Sequence, residues 1–529
     1  MNAVSVNGER RSAGALEAPA VFLGLTALFA LLLWITRGSV ALTRPLWVDE
    51  WFTVLVASHP SPAPVIGDLR AGADGGASLY HLCVWLLYAL AGGLSAVALR
   101  IMSLVTVIVA LTLTYAVLRR SFSVVASLAG VLAVGSQKLI AVHAFDARFY
   151  ALWLLCCVLY AWSLSSNRFR AANVAVSSAL LVASHWYGII TLAIMAAAVF
   201  AMSWRDWRGG LRDIAPSAAG LATLLIISPL ARGQRAAITV NSWIPDFTVR
   251  QIGGVTNQFW FAPVPLLAVA GIVVAAVLIL RGRRRSFAMS IDRSVVALLS
   301  LAVLPPALVV LSAAGLPSLI GRYSLPAALA WAPLVAIACD LLGRWPARAS
   351  ALALVGFWFT YLKAEVRRDN AFAIGVRHER EVLQRAEEMR LPIVFQSLHT
   401  MYPQVAATRG AGQDVMFLDL PDSTLDAAFP RGTPWFQANK GLWLERDFAR
   451  VQSARFGFPV LAPQAALDTT SRFLFLATTV RLPRGVPDVS SLARAAFPRH
   501  RVTPIAEDLL LLERPAASSR SLPARNTSR

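Results

Sequence analysis

Apolar runs of about 20 residues, recurring along most of the chain and separated by short arginine-bearing segments, constrain this sequence more than any other feature. In hydrocarbon every backbone N–H and C=O must be satisfied internally, which a helix does within its own segment. The runs predict spanning helices near residues 18–35, 99–118, 121–142, 149–165, 172–186, 187–203, 214–231, 263–280, 295–314, 323–342 and 349–362. With 57% hydrophobic and 15% charged residues over 529 positions, the chain is too apolar for a water-soluble protein of this length.

The net charge of +20 would by itself fit a nucleic-acid binder, but its distribution does not. The arginines come in clusters between apolar runs: Arg10/Arg11, Arg119/Arg120, Arg168/Arg170, Arg205/Arg208/Arg212, Arg281/Arg283/Arg284/Arg285 and Arg344/Arg348. These alternate with loops poorer in basic residues, so the positive-inside rule places the clusters in the cytoplasm, facing anionic lipid. About 11 crossings then put the N-terminus in the cytoplasm and the C-terminal region outside. The run from Pro19 to Ile35 lacks a following small-residue cleavage site and reads as a retained helix. The apolar stretch 78–94 would invert every later loop if it crossed, so it is expected to begin and end on the outer side, in or dipping into the interface. The alternative is that 78–94 crosses and one of the short helices near 172–203 or 349–362 does not.

Residues 1–362 therefore form a helical membrane module, and from about Lys363 the composition turns to mixed charged and apolar residues. Strand-like apolar cores at 393–395, 415–418, 473–476 and 509–512, separated by polar segments, predict a small α/β domain over 363–514, outside the membrane. The tail 515–529, rich in Ser, Arg and Pro, is expected to be disordered. Cys83, Cys156, Cys157 and Cys339 all fall in apolar stretches and read as packing residues, not as a disulfide framework or metal site.

Ionisable groups at membrane depth are costly unless they bind something. Asp49-Glu50, framed by Trp47 and Trp51, follows the first run where it emerges outside. The pair is a candidate for chemistry; the plainer reading is a first-turn acid at the head of a helix through Phe52-Thr53-Val54-Leu55. A second cluster, His143-Ala144-Phe145-Asp146-Ala147-Arg148-Phe149-Tyr150, lies on the same predicted side. Arg148, Arg232, Arg235 and Arg322 break the positive-inside pattern; their paired donors suit phosphate or carboxylate, against the plainer reading of snorkelling to headgroups. Lys138 precedes the second cluster and could join the same anion site or snorkel. His143 and His185 could ligate a metal with the acids, but without a short His spacing they read better as hydrogen-bonding groups. The loop 232–262, with Trp243, Phe247, Trp260 and Phe261, could stack on a sugar or anchor in the interface.

Taken in order, these residues resemble a known family. Leu46-Trp47-Val48-Asp49-Glu50-Trp51-Phe52-Thr53 after a first membrane helix is similar to the Asp-Glu motif in the first outer loop of GT-C glycosyltransferases. The bacterial branch related to protein O-mannosyltransferases and lipid A aminoarabinose transferases is the nearest in pattern. The resemblance continues through Ser78-Leu79-Tyr80-His81-Leu82, Ala98-Leu99-Arg100, Asp146-Ala147-Arg148-Phe149-Tyr150, His185-Trp186-Tyr187-Gly188, Trp243-Ile244-Pro245 and Gly321-Arg322-Tyr323-Ser324-Leu325-Pro326, over roughly residues 20–345. Two positions depart from it. Relatives usually carry His-Pro-Pro where this chain has Asp74-Gly75-Gly76-Ala77-Ser78, and Asp146 stands where relatives commonly have a Glu.

The resemblance implies transfer of a hexosyl or pentosyl group from a polyprenyl-phosphate donor to an envelope acceptor, whether lipid, glycan or protein, at the outer face of a bacterial inner membrane. On it, Asp49 is the base of a single inverting displacement and Glu50 orients it or binds acceptor. Asp146 binds sugar or acceptor, while Arg148, Lys138 and Arg322 face the phosphate. Tyr150, His143, His185, Tyr323 and Trp243 line the substrate site. Some relatives use a divalent ion, for which Asp49, Glu50, Asp146 and His143 are the candidates; no other cofactor is implied. Two rivals remain: a transporter or flippase of lipid-linked sugars, and a membrane scaffold with a sensory outer domain.

Overall fold

A computed structural model describes residues 46–165, 169–237, 291–316 and 318–342, with shorter pieces at 24, 27, 31, 41–42, 247–249, 251–252, 384, 388–389, 391–395, 401, 415–419, 421, 423, 446–456, 461–467, 470–476, 493–494, 496–505 and 509–515. The predicted spans near 263–280 and 349–362, most of 18–35, the clusters at Arg10/Arg11 and Arg281–285, Trp243 with its neighbouring loop, and nearly all of the 515–529 tail lie outside the described residues. The chain divides into two compact units. One comprises Met1–Pro45, Phe52–Gln234 and Asp246–Phe372; the other comprises Leu46–Trp51, Arg235–Pro245 and Ala373–Arg529.

The apolar runs become helices α1 (Val48–Ala57), α2 (Pro62–Ala71), α3 (Ser78–Ala91), α4 (Ala96–Leu118), α5 (Val124–Gly135), α6 (Lys138–His143) and α7 (Tyr150–Leu164). They continue as α8 (Arg170–Ser184), α9 (Gly188–Met202), α10 (Trp207–Ile214), α11 (Ala218–Ala237), α12 (Arg293–Ser300), α13 (Leu304–Ala313) and α14 (Trp331–Leu342), the last preceded by a 3₁₀ stretch Gly321–Ala330. Among the described residues, Ala96–Leu118, Trp204–Ala237, Arg293–Ala313 and Gly321–Asp340 are long and apolar enough to cross a bilayer; several shorter apolar helices accompany them. Polar caps start the helices between apolar runs: Ser95 Oγ accepts from Ala98 N on α4, and Asp292 Oδ1 accepts from Ser294 N on α12.

α7 sits at the centre, packed against α4, α8 and α12, with Trp153, Cys156 and Cys157 buried in the contact. All four cysteines are free. α5 and α14 approach so closely that a Cβ on Gly130 would lie 2.4 Å from the Ala332 carbonyl oxygen.

Hydrogen bonds sort the connecting segments into two ends. At one end Asp213 bridges Arg170 and Arg293, Asp292 N donates to Ser121 Oγ at 3.1 Å, and Asp340 accepts from Ser123 N at 3.1 Å. The arginine-bearing turns read as cytoplasmic thus gather together, with Asp213 pairing Arg170 and Arg293. The start of α3 and the turns 144–149, 185–187 and 318–323 meet at the other end. Ser103, early in α4, donates to the Asp146 carbonyl at 2.6 Å, so α4 begins at that same end and runs to Arg119 at the opposite one.

In the second unit, six strands form one sheet in the order β3-β2-β1-β4-β6-β5: β1 (Ile393–Phe395), β2 (Val415–Asp419), β3 (Leu461–Pro463), β4 (Arg472–Leu476), β5 (Arg501–Pro504) and β6 (Leu509–Glu513). β3, β2, β1 and β4 run parallel and β6 and β5 pair antiparallel, around a core of Val394, Phe473, Phe475, Phe497, Leu510 and Leu512. The four apolar cores read from the sequence are β1, β2, β4 and β6. β3 and β5 occupy the two edges, are short, and end at prolines, so they carry no apolar run to betray them.

The α5–α14 contact yields a direct test. Gly130→Ala should lower stability by about 1–3 kcal/mol because the backbone of α14 must move, whereas Gly93→Ala, with nothing within 4 Å, should be near neutral. Thermal unfolding of both variants in detergent checks this.

Candidate active site

The site end is built around the loop between α2 and α3. Gly72, at φ +87°, ends α2 in the left-handed conformation and turns the chain toward Asp74. Asp74 is 1% exposed, and its carboxylate meets Arg148 twice: Nη1 donates to Oδ2 at 2.6 Å and Nη2 to Oδ1 at 3.0 Å. His81, also buried, has its two ring nitrogens on acceptors, Asp74 Oδ2 at 2.8 Å and the Ala77 carbonyl at 3.0 Å. Arg148 Nη1 also donates to Thr53 Oγ1 on α1 at 2.9 Å. Burial alone would raise the Asp74 carboxyl, but the Arg148 charge and the His81 contact outweigh it and hold the group well below the usual carboxylate range.

The two glycines after Asp74 let the loop close. A Cβ on Gly76 would lie 2.5 Å from His81 Cε1 and 3.1 Å from the Phe149 ring. The carbonyls of Gly75 and Gly76 accept from Trp186 Nε1 at 3.0 Å and Gln234 Nε2 at 2.9 Å, and Gly233 lets α11 approach the Arg70 carbonyl. Trp186 in the turn between α8 and α9, Gln234 on α11 and His81 on α3 therefore hold the loop that carries Asp74.

The turn between α6 and α7 carries the second cluster. His143 Nδ1 donates to Asp146 Oδ2 at 2.7 Å, and Arg148 N donates to the Asp146 carbonyl at 2.8 Å. Beyond it lies an aromatic group centred on His185, whose ring stacks on Trp153 at 3.9 Å and 5°, with Phe149, Tyr187 and Tyr323 within 5.6 Å. Tyr187 N donates to His185 Nδ1 at 3.0 Å, which makes that nitrogen an acceptor. The Arg322 guanidinium lies 5.9 Å from the Tyr150 ring centre and 5.8 Å from that of Tyr323, and Tyr150 also meets His143 at 4.6 Å.

Of the residues singled out in the sequence, His143, Asp146, Arg148, Tyr150, His185, Arg322 and Tyr323 thus come together in the first unit, while Lys138 heads the six-residue α6 that leads to His143. Asp49 and Glu50 occupy the first turn of α1 and belong to the second unit. Glu50 is buried and its Oε2 accepts from Trp47 N at 3.1 Å, reaching back to the helix start as a capping carboxylate does; Asp49 is half-buried. Trp243 lies outside the described residues. Asp74, Thr53, Trp186 and Gln234 were not singled out as site residues. The available signal was the departure from His-Pro-Pro, an acid followed by two glycines in an outer loop. Among the described residues no three His, Cys, Asp or Glu side chains group as an ion site requires, so the divalent ion allowed by the resemblance finds no cradle among them.

No family model matches the sequence, and no curated protein does. Among solved structures the fold is similar to that of ArnT from Cupriavidus metallidurans in the apo state, with a TM-score of 0.56, 12% identity, and coverage of 94% of this chain and 98% of ArnT. This chain has a GT-C fold. ArnT is a polytopic GT-C membrane protein, and the likeness agrees with the apolar helices and C-terminal strands described above. At 12% identity the likeness is one of fold.

The Asp74 setting gives the site a pH signature. A carboxylate whose folded pKa is depressed adds stability that is complete above its unfolded value of about 3.9 and shrinks as pH falls below it. Asp74→Asn should therefore lower the unfolding midpoint at pH 7, with the deficit narrowing progressively below about pH 4. A deficit unchanged between pH 6 and pH 3 in thermal scans would contradict the pairing.

Proposed function

We propose that the chain is a membrane glycosyltransferase that moves a hexosyl or pentosyl group from a polyprenyl-phosphate carrier to an envelope acceptor, at the outer face of the inner membrane. The observation that carries this reading is the fold likeness to ArnT, a lipid A aminoarabinose transferase, across 94% of the chain. The ordered motifs around Asp49-Glu50, Asp146-Ala147-Arg148-Phe149-Tyr150 and Gly321-Arg322-Tyr323 support it.

The chemistry needs few parts. The donor is already activated, because a lipid phosphate leaves with little need of protonation near neutral pH. What remains is a base for the acceptor hydroxyl and cations to stabilise the departing phosphate. Asp49 is the base, and a single displacement inverts the anomeric centre. Glu50 orients the start of α1. Arg322 and Lys138 answer the phosphate charge, and Asp146, with its carboxylate oriented by His143, holds sugar or acceptor. Tyr150, Tyr323, Trp243 and the His185 group offer faces on which sugar C–H surfaces stack. In this reading the arginine-bearing end faces the cytoplasm and the Asp74 end faces outward.

Asp49→Asn is expected to reduce transfer by about 10²–10⁴-fold, the usual contribution of a general base, while the lipid-linked donor still binds. Glycosylated product and donor binding measured on the purified variant check this. Near-normal transfer would remove Asp49 from the mechanism, and vectorial movement of donor without product would favour a transporter.

A further inference from the structure

We infer that Arg148 is a positioning residue held by Asp74, not a ligand of the donor phosphate, and that the Asp74–Arg148–Thr53 network sets the turn that presents Asp146. The consequence for transfer rests on the glycosyltransferase reading; the network itself does not. Guanidinium carries five N–H donors, and both on Nη1 and one on Nη2 are taken by Asp74 and Thr53. One face of the group is covered by the Phe149 ring, 4.7 Å from the guanidinium carbon, and the residue is 4% exposed. A phosphate reaching Arg148 would have to displace Asp74 or share the cation with it, placing two anions side by side where water does not screen them.

Asp74 is held in place from several directions. Its loop is held at the Gly75 and Gly76 carbonyls by Trp186 and Gln234, and Gly76 sits against His81 and Phe149 with no room for a Cβ. The same carboxylate is in contact with His81, so its release would cost two contacts. What Arg148 does control is local. Its backbone N–H closes the turn onto the Asp146 carbonyl, where Ser103 also donates, and its side chain ties that turn to α1 through Thr53 and to the outer loop through Asp74. Of the three cations that the resemblance sets against the phosphate, this leaves Arg322 and Lys138.

The test compares Arg148→Gln with the double variant Asp74→Asn/Arg148→Gln in purified full-length protein, using undecaprenyl phosphate as the probe lipid. A positioning pair predicts that Arg148→Gln, which strands a buried carboxylate, has the lower unfolding midpoint, and that the double variant recovers part of the loss. The double variant should bind undecaprenyl phosphate within about threefold of wild type, with kcat reduced about tenfold or more and donor KM little changed. Arg322→Gln should instead weaken lipid binding by about tenfold or more. A folded double variant that has lost lipid binding overturns the inference. Should the Gln variants not fold, Arg148→Lys keeps the buried charge: lower kcat with unchanged lipid binding supports positioning, and weakened binding overturns it. A wild-type protein that does not bind undecaprenyl phosphate counts against the glycosyltransferase reading, and the stability order then decides alone. A double variant no more stable than Arg148→Gln would overturn the network.

Discussion

The paired contact between Arg148 and Asp74 is the interaction on which the arrangement of the site end depends. Both groups are withdrawn from water, so each would be costly alone; removing one partner of such a pair costs about 3–5 kcal/mol because the other remains buried and uncompensated. The pair joins the α2–α3 loop to a turn 74 residues further on, and through Thr53 it adds the middle of α1. Its geometry requires Gly76 where a side chain would strike His81, and Gly233 where one would strike the Arg70 carbonyl. The glycines, the indole of Trp186 and the amide of Gln234 follow from the need to bring a carboxylate this close to a guanidinium and keep it there.

Around that strut the bundle separates two uses of charge. At the arginine-bearing end, Asp213 bridges two arginines, Asp292 caps α12 and Asp340 accepts from Ser123, so the charge there holds turns together. At the other end charge is enclosed by aromatic rings: Phe149 over Arg148, and Tyr150 and Tyr323 beside Arg322. Arg148 is taken by Asp74, whereas Arg322 among its ring faces remains attractive to a phosphate while those rings offer apolar surface to a sugar and a prenyl chain. That combination suits a lipid-linked sugar better than a freely soluble anion.

Much of the fold was legible because hydrocarbon enforces it. Runs near 99–118, 149–165, 187–203 and 214–231 are α4, α7, α9 and α11, since an apolar segment of that length has few ways to satisfy its backbone. The apolar stretch 78–94 is the helix α3, 14 residues long and ended by Gly92 in the left-handed conformation. Strands β3 and β5 were not legible; at sheet edges, short and ending at proline, they bury too little to mark themselves. The site was legible by residue type more than by partnership. Arg148 stood out as a cation on the wrong side and suggested a ligand, but its partner lies 74 positions away, a pairing no local pattern reveals. Asp74 entered only as a departure from His-Pro-Pro, and Glu50 proved to serve the start of its own helix, a role that its spacing from Trp47 foreshadows.

The central claim is that this GT-C fold moves a sugar off a lipid phosphate. Purified protein in liposomes, incubated with a polyprenyl-phosphate-linked sugar carrying an isotopic label in the sugar and with an envelope extract as acceptor, tests it most directly. The account predicts that label leaves the carrier, that polyprenyl phosphate accumulates in step, and that the label is found on an envelope lipid, glycan or protein. Label that stays on its carrier, whether or not the carrier crosses the bilayer, would contradict it.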